Sequence, residues 1–438
     1  MKGRPAIINY IWLWLVLLAV LCGIGSGRMQ AVTEASFDAA KGAVELAIKL
    51  IGVMALWLGL MKIAEAGGLM RLIARAIRPV MVRLFPDVPA EHPAMGAMIL
   101  NLASNMLGLG NAATPMGIKA MIELDRLNPV KGQATNAMCL FLAINTSSVT
   151  ILPLGVIGVR AAAGASDPAS IILPGLIATA TSTTIAIIAA KLLAKPMEIP
   201  VDWRPTPSAA PADSPPDAVE AQPADADLAA PPGRYGKAAL YALGAGLIGT
   251  VTYRLMNVAE ATKLGDEITQ YWIIPLLMMA ILVFGYARGV KVYEAATKGA
   301  KEGFDVAVRI IPFLVMILVA VAMFKASGGF DFFAAIVSPV TSWFGMPTDV
   351  LPVALMRPLS GSGAFGLVSE LIQRDPDSLS AYMASIMQGS METTFYVLAV
   401  YFGAVGVTKL RHAVAAGLLA DLAGTAMSVI IARLTYPG

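Results

Sequence analysis

The residues able to do chemistry are polar side chains set inside otherwise apolar sequence, in four short clusters. Asn105, Asn111 and Thr114 lie in NMLGLGNAATPMG, where Gly108 and Gly110 let the backbone leave helical geometry and Pro115 suits the first turn of a new helix. Arg357, Ser360 and Ser362 lie in RPLSGSGAFG, a second glycine-rich break. Asn145, Thr146 and Ser147 occupy AINTSS, and Gln388, Ser390, Glu392, Thr393 and Thr394 occupy QGSMETTF. An interrupted helix exposes backbone N–H groups that attract an anion or a carbonyl. A guanidinium or carboxylate in such surroundings is costly, and it points to a bound solute, cation or proton. All these residues are therefore candidates for solute binding. Structural roles stand beside that reading: asparagine and threonine cap helix ends, Arg357 reaches for the interface, and Glu392 partners Arg357.

Other chemistries find little support. No phosphate-binding glycine-lysine loop, nucleophile elbow or HExxH motif is present, so neither an enzyme nor nucleotide-driven work is expected. Cys22 and Cys139 lie in apolar runs without metal-ligand spacing, and there are only two histidines. No metal site or cofactor is expected, and a coupling cation or proton is left open. Net charge is +3 from 32 basic and 29 acidic residues, which gives no concentrated basic face for nucleic acid.

The elements that must position these clusters follow from composition. Of 438 residues, 57% are apolar and 14% charged, with a mean hydropathy of +0.71. A soluble domain carries roughly 25% charged residues. This chain cannot cover a water-facing surface and is expected to be an all-α, polytopic membrane protein. Apolar runs near 7–25, 43–64, 135–159, 171–194, 236–256, 271–288, 304–325, 379–403 and 411–433 are each long enough to cross about 30 Å of hydrocarbon. The first is expected to be a retained helix, since no small-residue cleavage site follows it. Segments 93–124 and 348–373 are apolar but interrupted, and are expected to be re-entrant or broken helices. Residues 200–232 hold nine prolines and six acidic residues with one basic residue, a composition that cannot build a core. The expected organisation is a first membrane half over 1–198, a disordered linker over 199–235 on the cytoplasmic side, and a second half over 236–438.

The halves resemble each other. Lys41, Glu45 and Lys49 recur as Lys301, Asp305 and Arg309; Gly67-Gly68-Leu69 as Gly328-Gly329-Phe330; Pro79 as Pro339; and Gly155 and Gly158 as Gly403 and Gly406. The Glu45/Lys49, Asp305/Arg309 and Lys62/Glu65 spacings suit ion pairs on one helix face. Lysine and arginine gather at 71–83, at 288–301 and at 409–411, whereas 326–345 has none. The positive-inside rule then makes the repeats antiparallel, with a solute site at their interface. The arginines from 71 to 83 read as an amphipathic helix on the inner leaflet.

NMLGLGNAATPMGIKAM, RPLSGSGA and QGSMETTFYVLAVYFGAVG together resemble the bacterial spore maturation proteins A and B, with the first half similar to A and the second to B. That resemblance implies a fusion of two gate-type membrane domains, of a wider group that includes concentrative nucleoside transporters and the membrane part of ferrous iron transport protein B. Substrate signatures of the nucleoside transporters are not recognisable. The expected function is a transporter or channel in the bacterial inner membrane. It would move a small polar solute, nucleoside-like or anionic, by alternating access. A non-transporting scaffold for envelope proteins is the alternative. Lipid and a small solute are the expected partners, and homo-oligomer formation is left open.

Overall fold

A computed structural model describes residues 7–108, 110–147, 149–194, 272–330 and 345–436, with Leu228 and short pieces of 242–256 and 332–336. The expected linker, apart from Leu228, and most of the expected span at 236–256 lie outside the described residues. The fold is helical: among the described residues the only strand-like contact is an isolated bridge between Gln133 and Lys409. Among the described residues four helices are long and apolar enough to cross a membrane, namely α2 (Met29–Ala66), α8 (Ile172–Leu192), α10 (Val292–Ala326) and α15 (Ala413–Thr435). The chain is a multi-pass membrane protein.

Helices α2 and α10 form a long antiparallel pair. Ser26, after α1 (Ile7–Ser26), donates to the Ser327 carbonyl at one end (3.1 Å), and Arg288, after α9 (Ile273–Ala287), donates to the Gly67 carbonyl at the other (3.1 Å). Contact is closest where Gly299 and Gly303 face the backbone of Met54, Ala55 and Leu58; a Cβ on Gly303 would sit 2.7 Å from the Ala55 Cα. Small residues permit such approach, which matters in lipid because packing rather than water exclusion joins the helices.

Two helical hairpins follow these long helices. The first joins α4 (Pro93–Met106) to α5 (Gly110–Arg126) through Gly108 at φ +72°. The second joins α11 (Leu351–Met356) to α12 (Gly361–Arg374), where the Ser360 hydroxyl caps the Gly363 N–H at 3.1 Å. Each hairpin is followed by a broken helix. Helix α6 (Asn136–Ser147) gives way to α7 (Leu154–Ala162), and α13 (Leu379–Ser390) to α14 (Thr394–Ala404). The continuous spans expected at 135–159 and 379–403 are thus corrected to interrupted ones. Pro153 and the polar run before it stop α6, and the extended Met391 and Thr393 stop α13.

The broken helices run antiparallel. The Glu392 N–H donates to the Thr146 carbonyl (2.9 Å) at their breaks. Beyond one end, the Ala134 N–H donates to the Lys409 carbonyl and the Lys409 N–H to the Gly132 carbonyl, both at 3.0 Å. Beyond the other, the Ser166 N–H meets the Asp377 carboxylate (3.0 Å) and Arg160 reaches the Pro376 carbonyl (3.0 Å). The start of each broken helix is therefore tied to the end of the other.

Local expectations fare unevenly. Helix α3 (Leu69–Leu84) is amphipathic as expected, with Arg71, Arg75 and Arg83 exposed. Lys62 pairs with Glu65 at 3.0 Å. Glu45 instead lies 3.9 Å from Lys41, one turn before it, and not with Lys49. Pro115 does not open α5 but sits inside it, because the helix already begins at Gly110. The side chain of Arg309 lies outside the described residues.

Candidate functional site

Both hairpin tips meet the breaks. The Ile151 N–H, between α6 and α7, donates to the Met106 carbonyl (2.9 Å), and the Phe395 N–H, at the start of α14, donates to the Pro358 carbonyl (3.0 Å). Backbone groups freed by the interruptions find partners in each other, which is the condition for irregular backbone at membrane depth. The polar clusters converge here.

In the first half the contacts are amide contacts. Asn105 donates to the Asn145 side-chain carbonyl at 2.9 Å, and Asn145 donates back to the Phe141 carbonyl of its own helix. Thr146 and Ser147 hydroxyls return to Ala143 and Ile144 carbonyls, so both are buried and internally satisfied. Thr114 is half-buried in α5, and the side chain of Asn111 lies outside the described residues.

The second half carries the charge. Arg357, at the hairpin tip, is 3% exposed. Its guanidinium donates to the Gln388 carbonyl at 3.1 Å and, at 3.4 Å, to the Thr393 hydroxyl. Its Nε has no acceptor among the described residues, and neither Glu392 nor Asp421, the acids within its electrostatic reach, lies at ion-pair distance. The Gln388 side-chain carbonyl is likewise unpartnered. Glu392 is half-buried at the break. Thr394 donates to Asp421 at 2.7 Å, Ser390 meets Ser428 at 3.2 Å, Ser360 is spent on its cap, and Ser362 is half-buried one residue into α12.

Sequence reasoning missed three participants. Asn101 on α4 donates to the Ala113 carbonyl (2.8 Å) and to the Tyr401 hydroxyl (3.1 Å) on α14, leaving its own carbonyl unpartnered. Asp421, 5% exposed on α15, has one oxygen without a donor. Asn101 and Asp421 are isolated polar residues in apolar runs, the same signal that singled out Glu392, and both were legible on that ground. Tyr401 carries no such signal, since tyrosine is ordinary in an apolar helix.

A separate groove of about 380 Å³ runs between α2, α10 and α12, bordered by Glu45, Lys49, Lys325, Glu370, Gln373 and Arg374. It lies at the far end of α12, roughly 20 Å along that helix from its start at the breaks. Its lining carries charges of both signs. Outside the spans, burial pushes the Asp167 carboxyl up even though the Ala169 and Ser170 N–H groups donate to it.

Comparison with known proteins agrees with this architecture. A family described as Gate, nucleoside recognition, matches residues 47–163 and 307–408, one region in each half. Spore maturation protein A of Bacillus subtilis (strain 168) is 45% identical over 181 residues, which are 41% of this chain and 92% of that protein. Spore maturation protein B of the same organism is 46% identical over 164 residues, 37% of this chain and 92% of that protein. One polypeptide here carries counterparts of both.

Proposed function

Because the chain belongs to the nucleoside recognition Gate family and combines counterparts of spore maturation proteins A and B, we propose that it transports a small polar solute bearing an anionic group across the bacterial inner membrane. Arg357 carries this reading. A guanidinium buried at a hairpin tip, with an unused Nε and no carboxylate at ion-pair distance, is a charge held ready for an anion. The amides of Asn101, Asn105 and Asn145 offer neutral hydrogen bonding for the rest of such a solute, as a nucleoside-like body requires. No nucleophile–base pair enters this reading, and catalysis is no part of the proposed role.

Alternating access has its physical basis in the two halves. We read them as inverted repeats whose broken helices exchange end partners, so that each end of the site is closed by a loop from each half. Arg71, Arg75, Arg78 and Arg83 mark the cytoplasmic side by the positive-inside rule.

Proteoliposome uptake tests the proposal, with a panel of nucleosides, nucleotides and small organic acids. Uptake of at least one anionic solute, lost in Arg357→Gln and reduced in Asn145→Ala, is the expected result. The relatives' names speak of maturation and not of a solute, which favours a second reading, an assembly scaffold. Absent uptake together with a stable envelope-protein partner recovered from membranes would decide for it.

A further inference from the structure

Asp421 is the least provided-for acid at the centre of the molecule. It projects from the middle of α15, 5% exposed, in the apolar run GLLADLAG. One carboxylate oxygen accepts the Thr394 hydroxyl at 2.7 Å, and the other has no partner among the described residues. The surrounding helices offer little more. α6 presents Thr146, whose hydroxyl already returns to its own helix, and α8 presents Ser182, spent on the Ala420 carbonyl, and Thr183. α13 ends at Ser390, whose hydroxyl meets Ser428, about two turns along α15 from Asp421. The charged group that reaches it is Arg357, at the tip of the second hairpin, which Glu392, at the break before α14, reaches as well.

An ionised carboxylate here leaves lone pairs unmet at membrane depth, and among the described residues the one cation in reach, Arg357, stands beyond ion-pair distance. A neutral carboxylic acid leaves a single unmet hydroxyl, which is far less costly. One carboxylate and one hydroxyl are too few oxygens to replace the water shell of a metal cation. We propose that Asp421 is a proton-binding site linked electrostatically to Arg357, so that an anion at Arg357 and a proton at Asp421 bind cooperatively.

The linkage follows from the charges and rests on the anion site proposed above. An occupying anion cancels the guanidinium field, which is the one charge that favours ionised Asp421, and the proton then binds more tightly. Reciprocity requires that the protonated state bind the anion more tightly by the same factor, on the order of tenfold. The solute would therefore travel with a proton, taken up at Asp421 on one side and released on the other.

Infrared difference spectra of the purified full chain, recorded across pH without any solute, test this. A protonated-carboxyl stretching band is expected that is lost in Asp421→Asn and kept in Glu392→Gln. In Arg357→Gln the band should persist to more alkaline pH by about one unit, because a neighbouring positive charge has gone. Thr394→Val, which removes the one donor and keeps the shape, should shift the same band in frequency and in pH. It keeps the proposal testable if Asp421→Asn does not fold. A band that survives Asp421→Asn, or one that ignores both Arg357→Gln and Thr394→Val, overturns the proposal. Failure to find uptake leaves these spectra unaffected, so the proton site and the transport reading fail separately.

Discussion

The two hairpins have related sequences and occupy corresponding places in the chain, yet they dock differently. The second packs α12 against α10, with Gly366 under Leu314 and Gly363 beside Ile317. The first packs α5 against α4 and α14, with Gly117 under the Tyr401 ring, and has no comparable packing on α2 among the described residues. Counted from the first helical residue, Pro115 of α5 stands where Gly366 of α12 does. The glycine lets α12 lie close on its long neighbour, and the first hairpin has an exposed proline in that place. The hydrophobic core divides accordingly. One cluster joins the second hairpin to α2, α7, α10 and α13, and the other joins the first hairpin to α3, α6, α14 and α15. The lesson is that similar hairpins at corresponding places in the chain can pack on different neighbours.

The comparison breaks most completely if the halves do not run opposite ways. Cysteines placed at Arg75 and Asp375, both exposed, are expected to react with a membrane-impermeant reagent from opposite faces. Labelling of both from one face would dismantle the antiparallel arrangement. The docking difference gives the next largest effect. Gly366→Leu puts a Cβ 2.4 Å from Leu314 and should cost about 3 kcal/mol in detergent melting, as overpacking does. Pro115→Leu, at an exposed position, should change stability by less than about 0.5 kcal/mol. Equal losses would show that the hairpins dock alike.

The polar linings differ less. Asn145→Ala strands the buried Asn105 amide and should cost about 2 kcal/mol, whereas Ser390→Ala leaves Ser428 bonded to the Gly424 carbonyl and should cost about 1 kcal/mol. Chemical denaturation of the two variants in the same detergent would rank them. Smallest is the contrast between the end ties. Ser166→Ala removes a 2.6 Å hydroxyl contact to Asp377 and should cost about 0.5 kcal/mol, while Thr408→Ala should cost less, because its hydroxyl adds only an exposed 3.4 Å contact to a Gly132 carbonyl already held by two backbone N–H groups. Hydrogen exchange at Ser166 and Lys409 would register the difference.

Much of the fold was legible because its causes are local. Gly108 and Gly110 in one half and the glycine-rich run RPLSGSGAFG in the other marked both hairpin tips. Asparagine, threonine and glutamate inside apolar runs marked the polar clusters at both breaks, but not the interruption of the helices there. The failures share one reason. The apolar run at 135–159 looked continuous because composition does not report backbone geometry, and the break appears only where Met106 supplies an acceptor for Ile151. Pro115 looked like a helix start because its preference for the first turn was applied without knowing that Gly110 already began the helix. Asp421 is a single acid in an apolar run, far in sequence from any polar cluster, and it gains its partner Thr394 only on folding.

By itself the sequence determined that the chain lives in lipid, that it is helical, and that its two halves match. Lipid supplies no hydrogen bonds, so each span must satisfy its backbone within itself, and that requirement is written residue by residue. Only the tertiary structure decided that each broken helix is tied to the other half, that Arg357 is buried without an ion-pair partner, and that Asp421 comes within its electrostatic reach. Those are relations between residues tens to hundreds of positions apart, set by which small side chains let which helices approach, and no local preference encodes them.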